Sequence, residues 1–285
     1  MIRFATYHDI PALGHIRKIC FGESDAYSAF YFAAKFTEQN TLVYVAQNKP
    51  VASLTLLDAE VVTVERVFSI AYIYSVATLP EWRGRGVAAA LSQYADEHLQ
   101  ERGVEASLLV PATAELFDYY AKLGYETKFF IEKQEAVGLS NASEILLQLR
   151  NLKADDYFRL RKEAYSAGNY YVQWDKHALD FAIQECRYDG GVAWYMRIKE
   201  TEGFLLAYPT KDDTIIIKES WLSDDLYPSA LHLLQQTFGK QQRFIFYRQP
   251  LADSATATPF AMIKYYTQTA LPVQGNIPYF GLAKD

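Results

Sequence analysis

Residues 70–89, IAYIYSVATLPEWRGRGVAA, join a strand, a glycine-rich turn and the start of a helix without a break. β-Branched and aromatic side chains fill Ile70–Thr78, a composition typical of a strand in a sheet. After Gly86, apolar residues recur every three or four positions, which predicts a helix with one core-facing side. A strand that leads directly into a helix is characteristic of α/β folds, so this segment indicates the fold class.

Strands and helices alternate on both sides of this segment. In the first half we predict strands at 2–5, 41–46, 51–57, 70–78 and 105–110, helices after Asp9, at 25–36, after Gly86 and at 114–123, and a strand pair that ends near Leu149. The second half repeats this order, with a helix capped by Asp155 and Asp156, helices at 174–187 and 226–238, and strands at 192–197, 203–208, 214–220 and 243–247. The repeat predicts two similar domains, residues 1–140 and 141–285, and the segment NIPYFGLAKD (276–285) is expected to form a closing strand.

The composition excludes several classes of protein. Half of the 285 residues are hydrophobic and 22% are charged, which is ordinary for a folded domain. No apolar run reaches the roughly 18 residues that a membrane span needs. The two cysteines, Cys20 and Cys186, lie far apart, and the five histidines are dispersed, so we expect no disulfide framework and no metal site. This cysteine usage favours the cytoplasm.

The net charge of −6 is unevenly distributed along the chain. Residues 1–140 carry 12 Lys and Arg against 17 Asp and Glu, whereas residues 141–285 carry 16 against 17. No basic patch stands out of the kind that nucleic-acid-binding proteins use, so we expect no nucleic-acid partner. The acidic first half favours a cationic or amine-bearing partner.

The turn Arg83-Gly84-Arg85-Gly86 carries the clearest chemical signal. Two glycines at a helix entrance let the backbone turn tightly and approach a ligand. The first amides of the following helix lack partners within it and lie at the positive end of its dipole, an arrangement that binds phosphate or pyrophosphate. Arg83 and Arg85 add charged hydrogen-bond donors.

Two common phosphate-binding motifs fit the turn less well. A Walker loop needs Gly-Lys-Ser/Thr at its end, whereas Val87, Ala88 and Ala89 follow Gly86 here. The spacing of Gly84, Gly86 and Ala89 formally satisfies the dinucleotide fingerprint. However, the residues PEWR separate these glycines from the strand, and the motif lies in a later strand–helix connection than that fold requires.

Arg83–Ala88 resembles the acyl-CoA pyrophosphate loop of the GNAT superfamily of N-acyltransferases, whose pattern is Gln/Arg-x-x-Gly-x-Gly/Ala. Downstream, Tyr119–Tyr125 (YYAKLGY) resembles the family's Tyr-x-Lys-Leu-Gly-Phe/Tyr motif. The resemblance covers residues 1–150 and implies an acetyl-CoA-dependent N-acetyltransferase that acts on a primary amine of a small molecule or peptide. It also implies two GNAT-like α/β domains, each a mostly antiparallel sheet with flanking helices.

The resemblance also implies roles for individual residues. In this family the strand before the loop separates from its neighbour, and its main-chain amides pair with the pantetheine arm and polarise the thioester carbonyl. The matching positions are Val76, Ala77 and Thr78. The residues expected at the pyrophosphate are Arg83, Gly84, Arg85, Gly86, Val87 and Ala88. Tyr120 matches the general acid that protonates the departing thiolate, the alternative being that it only packs in the core.

Several questions stay open at this level. Thr113 replaces the asparagine that many family members carry before the tyrosine, and Glu60, Glu65 and Tyr74 are weak candidates for a general base. A succinyl or propionyl donor would use the same pyrophosphate loop. A non-catalytic acyl-CoA sensor is the alternative from another functional class.

The second half lacks the glycine-rich loop. Its strand TIIIKESWL leads into Ser223-Asp224-Asp225, where acidic side chains would repel a pyrophosphate and cap the next helix. We therefore predict a degenerate second domain without a cofactor site. Closing the amine-binding cleft and forming a homodimer are the two roles open to it.

Overall fold

A computed structural model of the chain describes residues 1–136, 147–166, 170–239, 242–250, 254–267 and 278–282. The strands in these segments are β1 (Ile2–Phe4), β2 (Thr41–Ala46), β3 (Lys49–Val62), β4 (Val67–Thr78), β5 (Ala106–Leu109), β6 (Glu126–Glu135), β7 (Leu147–Asn151), β8 (Tyr171–Gln173), β9 (Val192–Ile198), β10 (Thr201–Pro209), β11 (Thr214–Trp221), β12 (Arg243–Arg248) and β13 (Thr258–Tyr265). The helices are α1 (Ile10–Phe21), α2 (Asp25–Lys35), α3 (Val87–Glu101), α4 (Ala114–Lys122), α5 (Ala154–Tyr165), α6 (Lys176–Tyr188) and α7 (Tyr227–Phe238). Within the described segments, each helix is too short or too polar to cross a bilayer.

The described strands form one mixed sheet in the order β1-β2-β3-β4-β5-β13-β6-β12-β11-β10-β9-β7, and β8 pairs with β3 at its side. Two neighbouring pairs, β4–β5 and β11–β12, are parallel, and the other pairs are antiparallel. The predicted fold class, α/β with a mostly antiparallel sheet and flanking helices, is confirmed.

The second half repeats the strand arrangement of the first. In the first half β3 and β4 are antiparallel, and α3 connects β4 to the parallel strand β5. In the second half β10 and β11 are antiparallel, and α7 connects β11 to the parallel strand β12. The element order therefore repeats as the sequence indicates, while the division into domains 1–140 and 141–285 stays a prediction.

The strand β13 from the second half lies inside the first. It pairs on one side with β5, where Met262 lies opposite Leu109, and on the other side with β6. The far edge of β6 pairs with β12, and β7 pairs with β9. The prediction of a strand pair ending near Leu149 is therefore wrong, because β6 and β7 find their partners elsewhere in the sheet.

Buried polar contacts fix β13 against α3. The carboxylate of Asp96 on α3 accepts hydrogen bonds from Lys264 Nζ at 2.6 Å and from Tyr266 Oη at 2.5 Å. Tyr266 Oη also lies 2.8 Å from Ser107 Oγ, which is 2.7 Å from Tyr125 Oη. Charge-assisted bonds of this kind specify register strongly, so β13 holds the helix that begins at the glycine-rich turn.

The two halves share the largest apolar cluster, while other clusters lie mainly within one half. The largest cluster of buried side chains takes residues from both, among them Phe68, Leu108, Phe129, Trp174, Phe204 and Phe280. Beneath it, Arg161 of α5 donates from Nε to both carboxylate oxygens of Glu219 on β11 at 3.0 Å. The helix α5 has Lys153 at its N-cap, so capping by the aspartates that follow in its first turn is wrong.

The C-terminal segment is joined to the sheet by an isolated β-bridge, and Phe280 next to this bridge lies in the cluster. Tyr279 pairs with Tyr171, and its amide donates to the carbonyl of Tyr170 at 2.7 Å. Of the closing strand predicted at 276–285, residues 276–277 and 283–285 lie outside the described residues. The described part forms this bridge and a turn at Gly281 packed against Glu219.

We expect a fragment of residues 1–136 to be unable to fold alone. Without β13, both β5 and β6 would lose a pairing partner and present open edges, and Phe129 would lose much of its cover. Thermal unfolding followed by circular dichroism should show no cooperative transition for the fragment, with the full chain as control. A cooperative transition of the fragment at the temperature of the full chain would contradict the shared sheet.

Candidate active site

β4 and β5 separate beside the glycine-rich turn. Their parallel pairing ends where Tyr72 lies opposite Leu108, although β4 continues to Thr78. A cleft of about 520 Å³ opens there, a volume typical of small-molecule sites. Main-chain donors and acceptors on the side of β4 that has lost its neighbour need other partners, so the cleft wall offers hydrogen bonds to a ligand.

A β-bulge bends β4 at the cleft. Ser75 has a φ of +57°, a left-handed conformation that is uncommon for a residue other than glycine. The register with β3 shifts by one residue between Tyr74 and Ala77. Bulges re-aim strands and are frequent next to active sites. This bulge brings Ser75 and Val76 into the wall of the cleft.

Arg17 of α1 holds the bulge in place. Its Nη1 donates to Ser75 Oγ at 2.8 Å, while Nε and Nη2 donate to the carboxylate of Glu23 at 2.6 and 2.8 Å. The guanidinium carbon lies 4.0 Å from the ring centroid of Tyr31, and the Arg17 side chain is only 4% exposed. A bidentate ion pair and a cation–π contact therefore stabilise the strained residue. No pattern in the sequence singles out Arg17.

The glycine-rich turn has the geometry that its sequence predicts. Gly84 and Gly86 adopt φ values of +71° and +75°, and Gly86 is the N-cap of α3. No side chain caps this helix, and among the described residues no main-chain carbonyl accepts a hydrogen bond from the amides of residues 84–88. These amides form a site where an anion can bind at the start of a helix.

Both arginines of the turn are exposed, and the guanidinium group of each contacts a neighbouring residue. Arg83 folds back toward β4, with Nε donating to the carbonyl of Thr78 at 3.0 Å and Nη2 lying 3.9 Å from Cys20 Sγ. The guanidinium carbon of Arg85 lies 5.1 Å from the ring centroid of Trp82. The turn that contains the free amides therefore also carries two exposed positive charges.

The other residues predicted to contact CoA differ in their access to the cleft. Val76 lies in its wall, whereas Ala77 and Val87 are buried in the core at 4% and 5% exposure. Thr78 Oγ1 is buried without a hydrogen-bond partner among the described residues, and Ala88 is half-buried. The side chains of Ala77 and Val87 are therefore unavailable to a ligand, and these two residues could contact one only through main-chain groups.

Tyr120 of α4 lies in the core and in the cleft wall at once. It is 7% exposed, and its ring centroid lies 5.2 Å from that of Tyr119 and 5.8 Å from that of Tyr125. Burial, with a smaller effect of Tyr119, raises the pKa of Tyr120 to about 12. The hydroxyl therefore stays protonated near neutral pH and can act as a donor. Thr113 is the N-cap of the same helix, where its side chain makes no capping hydrogen bond.

The far wall of the cleft comes from the second half of the chain. The lining residues from this half are Glu185, Tyr188, Asp189, Tyr208 and Lys218. None of them was predicted from the sequence, although the sequence of α6 carries one signal. Glu185 lies four positions after Phe181 and three before Tyr188, so a carboxylate interrupts an aromatic stripe of the helix.

Glu185 is buried, at 5% exposure, and accepts a hydrogen bond from Tyr27 Oη on α2 at 2.5 Å. Burial, with the nearby carboxylate of Asp189, raises the pKa of Glu185 to about 8. A carboxyl group with this pKa exists in both protonation states near physiological pH, which is the property of a group that exchanges protons with a ligand.

The residues named from the sequence as candidates for a general base differ in their position relative to the cleft. Glu60 lies opposite Ser69, and Glu65 lies in the turn that joins β3 and β4, so both are at the end of β4 remote from Thr78. Neither lines the cleft, so neither is placed to act there as a base. Tyr74 does line it, and burial, with the neighbouring Tyr31, raises its pKa. In the described segments, no group of three or more His, Cys, Asp or Glu residues could hold a metal ion.

The start of α7 differs from the start of α3. The carbonyl of Ser223 accepts hydrogen bonds from the amides of Leu226 and Tyr227 at 3.0 and 2.9 Å, so amides at this end are already used. Asp224 and Asp225 are exposed, and the expectation that they cap the helix is wrong. Two of the amides that an anion would need are thus occupied by the chain itself.

Comparison with known proteins places this geometry in a family. Residues 1–128 match the family model for the acetyltransferase (GNAT) domain, and none of the curated proteins compared with the chain matches it. Among solved structures, a GCN5-related N-acetyltransferase from Anabaena variabilis has 21% identity and a TM-score of 0.69, over 92% of this chain and 72% of that one. A probable N-acyltransferase from Enterococcus faecalis has 14% identity and a TM-score of 0.71, over 93% and 72%. A GCN5-related N-acetyltransferase from Kribbella flavida has 20% identity and a TM-score of 0.67, over 93% and 71%.

These structures cover both halves of the chain, and at such identities they show the shared fold. The matched residues 1–128 contain the bulged strand, the glycine-rich turn and Tyr120. Residues 1–128 of this protein therefore match a GNAT acetyltransferase domain, and the solved structures show that the whole chain has a similar fold.

Proposed function

We propose that the protein transfers an acetyl group from acetyl-CoA to a primary amine of a small molecule or peptide in the cytoplasm. The observation that carries this proposal is the position of three features around the opened part of β4. The bulged part of β4 and Tyr120 line one cleft, and the free amides of residues 84–88 follow the end of this strand along the chain. The anion site would suit the pyrophosphate of acyl-CoA, the extended main-chain wall would suit its pantetheine arm, and the proton donor would suit its departing sulfur.

The residues present fit CoA. The amides of residues 84–88 would hold the pyrophosphate, with Arg83 and Arg85 as charged donors. The pantetheine arm is an extended chain with two amide groups, and it would pair with β4 at Ser75 and Val76 in the way that a peptide adds to an open strand. Acetyl-CoA supplies an acetyl group activated as a thioester.

The chain's own groups would assist the transfer at two places. Main-chain amides of the bulge would polarise the acetyl carbonyl, and such preorganised donors contribute several kcal/mol when they are aimed at developing charge. Tyr120 would donate a hydrogen bond to the departing sulfur and protonate it as the carbon–sulfur bond breaks, since its pKa of about 12 keeps the hydroxyl protonated.

The charges in the cleft favour a cationic acceptor. Three carboxyl groups line it, those of Glu23, Glu185 and Asp189, against the ammonium of Lys218. Glu23 is paired with Arg17, and the pKa of about 8 leaves Glu185 partly protonated, so Asp189 and the charged form of Glu185 would attract a cation. Tyrosine rings form much of the remaining wall and can contact either an ammonium group or an apolar substituent. A primary amine, which is a cation near neutral pH, fits this surface better than an anionic acceptor would.

Replacement of Gly86 by Glu should weaken acetyl-CoA binding about ten- to hundredfold, equivalent to about 1.5–3 kcal/mol. The new carboxylate would lie at the pyrophosphate site, and the φ of +75° would strain the loop. Gly103→Glu is the matched control, because Gly103 lies just after the other end of α3 with a φ of +74° and open space around it. Isothermal titration calorimetry should show near-normal affinity for the control. Equal affinities of wild type and Gly86→Glu would contradict the assignment of the loop.

Replacement of Tyr120 by Phe should lower kcat about a hundredfold while leaving the affinity for acetyl-CoA unchanged, because the variant loses only the proton donor. The assay is thiol release from acetyl-CoA in the presence of amino acids, polyamines or aminoglycosides. Tyr119→Phe is the control, since this neighbouring tyrosine on α4 does not line the cleft. Unchanged turnover of Tyr120→Phe would exclude Tyr120 as the acid. Clear binding of CoA without release by wild type with any amine would favour a sensor.

A further inference from the structure

The wall that α6 adds to the cleft contains the carboxyl group of Glu185, which has no role in the proposed binding of CoA. We propose that Glu185 is the general base that removes a proton from the acceptor amine, so that the second half of the chain supplies a catalytic residue. This inference rests on the proposed acetyl transfer.

Glu185 lies where two cavities meet. One is the cleft between β4 and β5 that contains Val76 and Tyr120, and the other is an apolar pocket whose walls include Leu57, Trp174 and Phe181. Glu185 lines both, together with Tyr72 and Tyr74. An amine whose apolar body enters the pocket would present its nitrogen to this carboxylate at the side of the cleft where the acetyl group is expected.

The chemistry requires a base at this point. An alkylamine with a pKa of about 10 is almost entirely protonated near pH 7, and an ammonium nitrogen has no lone pair for attack. Glu185 would take the proton that frees the lone pair. As the nitrogen–carbon bond forms and the carbon–sulfur bond breaks, nitrogen loses a second proton to solvent, and sulfur gains one from Tyr120. Solvent then reprotonates Tyr120 and takes the proton from Glu185, so that one proton is released in each turnover. The products are the N-acetyl amine and the free thiol of CoA.

Groups from several elements surround the carboxylate. Tyr27 on α2 donates a hydrogen bond to it, and the carboxylates of Asp189 and Glu23 face it. The positive charges of Lys218 on β11 and Arg17 on α1 act in the opposite direction. Burial is the largest effect, and the sum raises the pKa of Glu185 to about 8. A base is most effective when its pKa lies near the working pH.

The phenol groups of the neighbouring strands complete these surroundings. Tyr72 and Tyr74 on β4 line both cavities with Glu185, and Tyr208 on β10 lines the cleft. Burial raises the pKa of Tyr74 and of Tyr208, so both are neutral near pH 7. They therefore add no charge beside the base. On α2, Lys35 lines the apolar pocket, where burial lowers its pKa.

The other two carboxylates of the cleft are less suited to the role. Glu23 is engaged by Arg17 through two hydrogen bonds of 2.6 and 2.8 Å, which hold it at the bulge. Asp189 lies just beyond the end of α6 and is exposed to solvent. Glu185 combines burial with access to both cavities.

The test compares Glu185→Gln with wild type, using two kinds of nucleophile. One is the fastest amine among phenylethylamine, an amino acid, a polyamine and an aminoglycoside; the other is hydroxylamine, which is largely neutral at pH 7 and needs no base to free its lone pair. After subtraction of the non-enzymatic rate, Glu185→Gln should lower kcat for the amine about a hundredfold and for hydroxylamine less than threefold. Glu163→Gln, an exposed carboxylate on α5, is the control and should match wild type.

The pH dependence gives an independent readout. For wild type, kcat/KM for the amine should rise as pH increases through about 8, because the base must lose its proton. This limb should be absent in Glu185→Gln, leaving only the rise caused by ionisation of the amine itself. Thermal unfolding should occur at or above the wild-type temperature, since Gln removes a buried group whose charged form burial disfavours.

Three results would overturn the role of Glu185. The first is an unchanged kcat for the amine in Glu185→Gln. The second is an equal loss of kcat for both nucleophiles while the affinity for acetyl-CoA stays intact. The third is a hundredfold loss of kcat for the amine in Asp189→Asn instead of in Glu185→Gln. In each case wild type would still acetylate its substrates, so the proposed function would stand. If wild type released no thiol with any nucleophile, the proposed function itself would fall, and this inference with it.

Discussion

The separation of β4 from β5 after Tyr72 is the constraint on which the site depends. A parallel strand pair that stays closed uses its main-chain groups internally, whereas a pair that opens must satisfy them with a ligand or with water. The bulge at Ser75 keeps the strands apart, and its left-handed conformation is held by Arg17, which is itself neutralised by Glu23 and covered by Tyr31. Backbone strain at a functional site is thus offset by buried polar contacts around it.

The second half of the chain contributes one strand to the first half and one wall to the cleft. β13 lies between β5 and β6, and Asp96 ties this strand to the helix that carries the anion site at its N-terminus. The cleft therefore has one wall that belongs to the matched family domain and another that comes from α6, β10 and β11. A continuous sheet and a shared apolar cluster make the position of the second wall a property of the fold.

Local patterns in the sequence were sufficient for most of the elements and for part of the site. Hydrophobic period identified the strand Ile70–Thr78 and the helix after Gly86, and two glycines alternating with two arginines indicated the anion site, because each of these features is encoded by adjacent residues. The position of β13 was missed because its partners lie more than a hundred residues away. Arg17 and Glu185 were missed for a related reason, since a charged residue on a helix is normally solvated, and only the tertiary fold shows that these two are buried.

The proposed site and mechanism both require that CoA binds along the opened edge of β4, and a crystal structure with bound CoA would show where it binds. We expect pyrophosphate oxygens within hydrogen-bond distance of the amides of residues 84–88, the pantetheine arm between β4 and β5 beside Val76, and the sulfur next to Tyr120. Density for CoA at another surface, or an empty cleft at saturating CoA, would contradict it.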